Sequence, residues 1–235
     1  MIETIAFDGD DTLWHNETLF TVTQARFAEL LAPYGPFPDL AHRLVATEGR
    51  NLAAFGYGIK GFMLSMIETA IEVTEGRVSS LDIQGILDAG KAMREHPVEL
   101  LDGVRDVVEG LVGGRHRLMV ITKGDLFDQE SKLAGSGLAE LFDAVEIVSE
   151  KDEATYRRIL ARHSVDPASF LMVGNSLRSD VLPVVGVGAR AVHVPYEVTW
   201  ALEHVEPVDG DRPGVWELDA ITDLPDLLVA LDRRS

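Results

Sequence analysis

The sequence of 235 residues contains no cysteine, and this absence removes several kinds of chemistry at once. Without thiols there are no disulfide bonds, no thiol nucleophile and no zinc–thiolate site. Positive charge is also scarce, because 21 lysine and arginine residues stand against 39 aspartate and glutamate residues and leave a net charge of −18. Nucleic acids and anionic membranes bind through lysine and arginine. We therefore expect neither of them as a partner.

Long apolar runs are missing as well. No stretch approaches the roughly 20 apolar residues that cross a bilayer. The first residues form a strand-like run and not a basic region followed by an apolar signal segment. We therefore expect a cytoplasmic protein. Apolar residues still make up 46% of the sequence, which is enough for a sizeable core in one large domain or in a core with a smaller insert.

Short apolar runs alternate with segments of helical spacing, which is the pattern of an α/β protein with a doubly wound parallel sheet. The predicted buried strands are residues 4–7, 118–121, 144–148, 170–173 and 189–194. Residues 16–95 differ, because apolar residues recur there at helical spacing without a clear strand. We predict a core formed by residues 1–15 and 96–235, with a helical domain at 16–95 inserted after the first strand.

Breaks between these elements are predicted from glycine and proline. Gly56, Gly58 and Gly61 are expected to separate the second and third inserted helices. Residues 206–214 are rich in Pro, Gly and Asp and are expected to form a surface loop.

The first predicted strand ends in Asp8-Gly9-Asp10-Asp11-Thr12, which places three carboxylates within four positions. Carboxylates packed together repel one another unless a proton or a cation holds them. Gly9 allows the backbone to turn so that Asp8 and Asp10 can face one ligand. Because open α/β sheets bind ligands at the carboxyl ends of their strands, the cluster predicts a metal site.

Polar residues also follow the other predicted strands near the points where they end. They are Thr122, Lys123, Lys151, Asn175 and Asp180. A hydroxyl and free backbone N–H groups at a strand-to-helix turn suit a phosphate oxygen. Carboxylates are ligands for Mg²⁺, which keeps several waters and contacts substrate phosphates. The set predicts a Mg²⁺-assisted reaction at a phosphoryl group.

These motifs, in this order, resemble those of the haloacid dehalogenase-like (HAD) superfamily. Asp8-Gly9-Asp10-Asp11-Thr12 is similar to the D-x-D-x-T motif of the family. Thr122, Lys151, and Gly174-Asn175-Ser176 with Asp180 are similar to its second, third and fourth motifs. The resemblance covers essentially the whole chain and implies a Rossmann-like core with a helical cap between the first and second motifs.

The resemblance implies a role for each matching residue. Asp8 would be the nucleophile that forms an aspartyl-phosphate, and Asp10 would be the general acid and then the general base. Thr122 and Lys151 would be catalytic residues that hold the phosphoryl group, and Lys123 is a further substrate-binding candidate.

A metal site is implied in the same way. Asp8, the carbonyl of Asp10, and Asp180 would hold Mg²⁺. Asn175 stands where many relatives have an acid, so it is a candidate neutral ligand, either direct or through water. Asp11 replaces a glycine that is common in the first motif, and we assign it no catalytic role.

The expected function is Mg²⁺-dependent hydrolysis of a small phosphorylated metabolite. A phosphomutase would share the core but would need a cap that shields the phospho-enzyme from water. A 2-haloacid dehalogenase would use the carboxylate of Asp8 to attack carbon and would need neither a metal nor an acid at position 10.

Two further alternatives are a phosphonatase and a non-catalytic binding protein. A phosphonatase would need a Schiff-base lysine in the cap, for which Lys60 is the candidate. A non-catalytic binding protein would be expected to lack part of the set Asp8, Asp10, Thr122 and Lys151. The oligomeric state is left open between monomer and homodimer.

Overall fold

Residues 1–205 and 212–233 are described in the computed structural model. Most of the surface loop predicted at 206–214, residues 206–211, lies outside the described residues. Contacts divide the chain into two compact units. The core unit consists of Met1–His15 and Val98–Ser235, and the inserted unit consists of Asn16–Pro97.

The core unit is built on a parallel sheet, which has six strands within the described residues. The strands are β1 (Thr4–Phe7), β2 (Arg117–Lys123), β3 (Ala144–Val148), β4 (Phe170–Gly174), β5 (Arg190–His193) and β6 (Val215–Glu217). Their order across the sheet is β3-β2-β1-β4-β5-β6. This architecture confirms the predicted α/β class with a Rossmann-like core.

β1 lies at the centre of the sheet, between β2 and β4, and its side chains alternate between two apolar layers. Phe7 stands opposite Val120 on β2 and Val173 on β4, and all three side chains belong to one core cluster. Ala6 and Met172 face the other way and belong to a second cluster. Because successive side chains of a strand point to opposite faces, both faces of a central strand must be apolar when helices cover both.

Within the described residues, helices are the only regular secondary structure of the inserted unit. It contains α1 (Glu17–Leu31), α2 (Leu40–Phe55), α3 (Ile59–Val73) and α4 (Ser80–Glu95), with a short 3₁₀ helix at Ala32–Tyr34. Each α-helix contributes buried apolar side chains to one common core, for example Phe27, Leu44, Met66 and Ile86. The apolar positions recur at intervals of three and four residues, so they form one buried face on each helix.

The predicted break at Gly61 is wrong. Only Gly56 and Gly58 lie between α2 and α3, where their φ values of 70° and 99° favour glycine. Gly61 belongs to the first turn of α3, and a Cβ atom there would lie 2.6 Å from the carbonyl oxygen of Gly56. Gly61 is therefore needed for close packing and not for a turn.

The helices of the core unit follow the strands in alternation. They are α5 (Val104–Leu111), α6 (Leu126–Ser136), α7 (Glu153–Arg162), α8 (Leu182–Gly186) and α9 (Leu224–Asp232). A π-helical turn at Leu177–Val181 precedes α8, and short 3₁₀ helices occupy Ala139–Leu141, Pro167–Ser169 and Ile221–Asp223. In the described part of the chain, no helix has both the length and the apolar character of a membrane span.

Two segments of the core unit that flank the insert are joined by hydrogen bonds. The backbone N–H of Leu101 donates to the carbonyl of Leu13 (3.1 Å), and that of His15 donates to Glu99 (2.9 Å). Trp14 forms a bridge with Leu100 between them and is almost completely buried. The loop that carries the acidic cluster is therefore tied to residues 99–101 at the end from which the chain enters the insert.

Candidate active site

The candidate residues converge on the carboxyl ends of the central strands. Asp8 follows β1 directly, and its N–H donates to the carbonyl of Val173 on β4 (2.9 Å). Thr122 lies at the end of β2, and Asn175 follows β4. In open α/β sheets this edge, where the strand order reverses direction, is where ligands bind.

A tight loop after β1 separates the two acids that the sequence singles out. The N–H groups of Leu13 and of both its neighbours point to the carbonyl of Gly9, at 2.8 Å for Leu13. A Cβ atom on Gly9 would lie 2.7 Å from the ring of Trp14 and 3.2 Å from Oγ1 of Thr122. Glycine is therefore required between Asp8 and Asp10, because the backbone passes directly against two other side chains.

Lys151 joins two buried carboxylates. Its Nζ lies 2.6 Å from Oδ1 of Asp8 and 2.7 Å from Oδ1 of Asp180, and all three side chains are buried. The second oxygen of Asp180 accepts a hydrogen bond from the N–H of Ser176 (3.1 Å). A Cβ atom on Gly174 would lie 2.3 Å from Cγ of Asp180, so this carboxylate packs directly on the end of β4.

Lys151 owes its position to the start of α7. The helix begins after Asp152, whose carboxylate accepts a hydrogen bond from the N–H of Thr155 (2.7 Å). An N-cap of this kind fixes the direction in which the chain enters a helix. Lys151 immediately precedes the cap, so its side chain is directed by the fixed turn between β3 and α7.

The charges around Lys151 do not cancel. Two carboxylates, Asp8 and Asp180, share one ammonium and leave one negative charge. Burial and the nearby charge of Asp180 raise the pKa of Asp8 to about 7, although Lys151 acts in the opposite direction. Burial alone would lower the pKa of Lys151, but Asp180 and Asp8 raise it. The site therefore holds a charged lysine and favours additional positive charge or a proton.

Asp10 has a different set of partners. Nε1 of Trp14 donates to its Oδ1 (2.7 Å), and Nε2 of Gln129 donates to its Oδ2 (2.9 Å). Nζ of Lys132 lies 3.0 Å from both oxygens. All three partners are donors, so they suit a carboxylate that accepts. The side chain of Asp10 is directed to α6, whereas that of Asp8 is directed to Lys151.

Thr122 is connected to Asp10 through one side chain. Its hydroxyl donates to Oε1 of Gln129 (3.1 Å), and the amide nitrogen of the same glutamine donates to Asp10. Thr122 and Gln129 are both buried. The buried amide of Gln129 thus joins Thr122, which is predicted to hold a phosphoryl oxygen, to Asp10, the predicted acid.

Asn175 connects the first and fourth motifs. Its Oδ1 accepts a hydrogen bond from the hydroxyl of Thr12 (3.3 Å). Its backbone carbonyl is 3.0 Å from Nε2 of His193, whose other ring nitrogen lies 2.9 Å from Glu217. The loop after β4 is therefore held from two sides.

Comparison with known proteins identifies the family. The haloacid dehalogenase-like hydrolase model matches residues 2–188, well over half of the chain. The chain belongs to the haloacid dehalogenase-like hydrolase family. No match was found among curated proteins.

Solved structures of HAD proteins share this fold. A haloacid dehalogenase-like family hydrolase from Xanthomonas campestris is 43% identical, with 99% of this chain and 93% of that chain covered and a TM-score of 0.88. A 2-haloacid dehalogenase from Pseudomonas syringae pv. Tomato DC3000 is 24% identical, with 98% and 100% covered and a TM-score of 0.66. A protein described as a predicted phosphoglycolate phosphatase from Haemophilus somnus 129pt is 16% identical, with 97% and 98% covered and a TM-score of 0.63. At 24% and 16% identity, the second and third structures show a shared fold and do not indicate the substrate of this protein.

HAD hydrolases generally use Mg²⁺. Among the described residues, acidic and histidine side chains form no group of three or more that is close enough to hold a metal ion. The available donors are nevertheless of the right kind, because Asp8, Asp180, the amide of Asn175 and the carbonyl of Asp10 all offer oxygen atoms. Mg²⁺ commonly binds one or two carboxylates and completes its shell with water and phosphate oxygens. The residual negative charge around Lys151 also suits a cation, so the donor set fits Mg²⁺.

Lys123 is engaged by carboxylates and a hydroxyl. Its Nζ forms an ion pair with Glu203, contacts Oγ of Ser179 (3.1 Å) and lies 3.5 Å from Glu150. Glu203 also accepts hydrogen bonds from the hydroxyls of Ser176 and Ser179, both at 2.7 Å. Burial would raise the pKa of Glu203, but Lys123 and the two hydroxyls lower it overall. Lys123 thus contributes to a charged cluster beside the fourth motif, and substrate binding by Lys123 remains a prediction.

Sequence reasoning missed the residues that surround Asp10. Gln129 and Lys132 lie on α6, and Trp14 lies in the loop after β1. The sequence contains one pattern that could have indicated them: Gln129 and Lys132 are polar residues three positions apart in the helix that follows Thr122. Residues at this spacing lie on the same face of a helix. Many solvent-exposed helices show the same spacing, so the pattern alone did not identify a buried contact.

Proposed function

We propose that this HAD hydrolase is a Mg²⁺-dependent phosphatase that acts on a small phosphomonoester through an aspartyl-phosphate on Asp8. The observation that carries the proposal is the second carboxylate, Asp10, which stands two positions after Asp8 and is anchored by donors from two elements. Attack on a phosphomonoester requires a proton for the leaving alcohol and later a base for water. A displacement on a carbon–halogen bond releases halide and requires no such proton.

In the first step, an oxygen of Asp8 attacks phosphorus and forms a new P–O bond. The bond between phosphorus and the ester oxygen breaks, and its electrons remain on the leaving oxygen. Asp10, in its protonated form, gives its proton to that oxygen and becomes a carboxylate, the form that its three hydrogen-bond donors suit. Covalent catalysis replaces one difficult displacement by two easier ones.

In the second step, a water molecule attacks phosphorus and gives a proton to Asp10. The P–O bond to Asp8 breaks, so that inorganic phosphate leaves and Asp8 is again a carboxylate. Asp10 therefore acts first as an acid and then as a base, and it returns to its protonated form after each turnover.

Lys151 and Thr122 support both steps. The ammonium of Lys151 holds Asp8 from a distance of 2.6 Å and counters the negative charge of the phosphoryl group. The hydroxyl of Thr122 is available to donate to a phosphoryl oxygen in place of Gln129. Mg²⁺ held by Asp8, Asp180, the carbonyl of Asp10 and Asn175, directly or through water, would reduce the repulsion between the nucleophile and the phosphoryl oxygens.

The proposal is tested by incubating the purified protein with 4-nitrophenyl phosphate and a panel of sugar, nucleotide and small-acid phosphates. We expect phosphate release that requires Mg²⁺ and is lost with EDTA. Asp8→Asn should show no release, and Lys91→Met, in an exposed ion pair of α4, is the matched control. If the wild-type protein releases no phosphate from any substrate, the proposal is wrong. Isomerisation without net release would instead identify a phosphomutase.

A 2-haloacid dehalogenase is the second candidate, and one observation favours it. Nζ of Lys151 lies 2.6 Å from Oδ1 of Asp8. A carboxylate nucleophile held by a lysine is sufficient for attack on carbon, which needs no proton from Asp10. Release of chloride from 2-chloropropionate in the presence of EDTA would support this candidate, and its absence would exclude it.

A further inference from the structure

The partners of Asp10 lie outside the four motifs of the family. We propose that Gln129 and Lys132 are positioning residues that hold Asp10 where it can deliver its proton to the leaving oxygen. This inference rests on the proposed phosphatase function. It assigns a task in the reaction to α6, the helix that follows the second motif.

The contacts are made from one rigid element. Gln129 and Lys132 are three residues apart on α6, so they lie on the same face of the helix. Gln129 is 2% exposed, and the side chain of Lys132 is 14% exposed. With Trp14 they supply donors to both oxygens of Asp10. A carboxylate fixed at both oxygens cannot rotate without losing hydrogen bonds, and catalytic groups need this support from the surrounding side chains.

The positive charge of Lys132 stabilises the negative charge that forms on Asp10 in the first step. Asp10 becomes a carboxylate when it gives up its proton, and Nζ of Lys132 lies 3.0 Å from each of its oxygens. A charge-assisted hydrogen bond is stronger than one between neutral groups. Lys132 therefore stabilises the state that forms as the leaving oxygen is protonated, while Asp128, 3.3 Å from the same ammonium, helps to keep the lysine in place.

Gln129 also connects this support to phosphate binding. Its Oε1 accepts from Thr122 and its Nε2 donates to Asp10. Before substrate binds, the hydroxyl of Thr122 therefore fixes the orientation of this amide and directs its Nε2 to Asp10. When that hydroxyl turns to a phosphoryl oxygen, the hydrogen bond from Nε2 still holds Asp10.

A purely structural lysine and a positioning lysine predict different kinetics. Phenyl phosphate and 4-nitrophenyl phosphate have nearly the same shape, but phenolate is the more basic leaving group and depends more on a proton from Asp10. A structural defect lowers the rate for both substrates equally. A displaced proton donor lowers kcat/KM for phenyl phosphate more than for 4-nitrophenyl phosphate.

The test compares Lys132→Met with the wild-type protein on these two substrates in the presence of Mg²⁺. We expect the ratio of kcat/KM for phenyl phosphate to that for 4-nitrophenyl phosphate to fall on the order of tenfold. Lys132→Arg, which keeps the charge and the donors, should restore most of this ratio. Lys91→Met, which removes an exposed lysine paired with Asp88, should leave it unchanged.

A second variant covers the case in which Lys132→Met does not fold. Gln129→Met keeps the length of the side chain and removes both of its hydrogen bonds, and we expect it to lower the same ratio. An unchanged ratio in the folded variants, or an equal loss for both substrates, contradicts the positioning role but leaves the phosphatase function intact. If the wild-type protein hydrolyses neither substrate, the proposed function fails and the positioning role fails with it.

Discussion

The ammonium of Lys151 lies 2.6 Å from the carboxylate of Asp8, and both side chains are buried. This contact places the positive charge of Lys151 beside Asp8, the residue that we propose as the nucleophile. Asp180 is held by the same ammonium, so the removal of Lys151 would leave two buried carboxylates without a cation.

Lys151→Met should therefore lose both activity and stability. A buried charge that loses its partner costs about 3–5 kcal/mol in stability. We expect a lower midpoint of thermal unfolding at pH 8 in EDTA and a partial recovery on addition of Mg²⁺. Circular dichroism measures the midpoint, and Lys91→Met is the control. An unchanged midpoint would show that Asp8 and Asp180 do not need the ammonium.

The raised pKa of Asp8 predicts how the stability of the metal-free protein depends on pH. Asp8 has a folded pKa of about 7 against an ordinary value of 3.8, so the folded state binds this proton more tightly than the unfolded state. Stability contributed by Asp8 is therefore complete below about pH 3.8 and is lost as the pH rises to about 7. Other groups titrate in the same range, so the contribution of Asp8 is isolated with a variant.

Asp8→Asn removes the charge and closely imitates the protonated side chain. In EDTA at pH 8 we expect this variant to unfold at a higher temperature than the wild-type protein. The difference should shrink as the pH approaches 5, because wild-type Asp8 then carries its proton. The comparison of midpoints at pH 5 and pH 8 provides the measurement. A variant less stable than the wild-type protein at pH 8 would contradict the raised pKa.

Much of this site follows from the sequence because strand ends are local features. The apolar run at 4–7 ends at Asp8, and the structure has β1 over the same residues. Thr122 and Asn175 likewise stand where apolar runs end, and the parallel sheet brings those ends to one edge. Local patterns were sufficient because a buried central strand must be apolar on both faces.

The parts that the sequence did not predict depend on longer-range contacts. β6 has only three residues, Val215–Glu217, which are partly or largely exposed and form no apolar run. The contacts of Gln129 and Lys132 with Asp10 span 119 and 122 positions of sequence. Neither the spacing nor the hydrophobicity of these residues indicates which face of α6 contacts the loop after β1. These partners of Asp10 were therefore identified only in the structure.

Asp10→Asn should slow both chemical steps. The amide cannot give a proton to the leaving oxygen or accept one from water, and general acid–base catalysis contributes about 100-fold or more. We expect a loss of that size in kcat for phenyl phosphate, measured as phosphate release with Mg²⁺. Gln84→Met, which alters an exposed hydrogen bond of α4, is the control. Retention of the wild-type rate would remove Asp10 from the acid–base role.

Gly174→Ala tests whether the close packing of Asp180 matters for metal binding. The new Cβ atom would lie 2.3 Å from Cγ of Asp180, so the carboxylate must move away from the end of β4. We expect weaker Mg²⁺ activation, seen as at least a tenfold higher Mg²⁺ concentration at half-maximal phosphatase activity, since a displacement that costs about 1.4 kcal/mol changes an equilibrium tenfold.

The matched control for this variant is Gly110→Ala in α5. Apart from its chain neighbours and the backbone of its own helix, a Cβ atom at position 110 would meet no atom within 4 Å. A helical glycine replaced by alanine stabilises by about 0.5–1 kcal/mol. Gly110→Ala should therefore keep the wild-type Mg²⁺ response and unfold at the same or a slightly higher temperature. If Gly174→Ala also keeps the wild-type Mg²⁺ response while remaining folded, Asp180 does not act as a metal ligand, because a ligand cannot be displaced without a change in affinity.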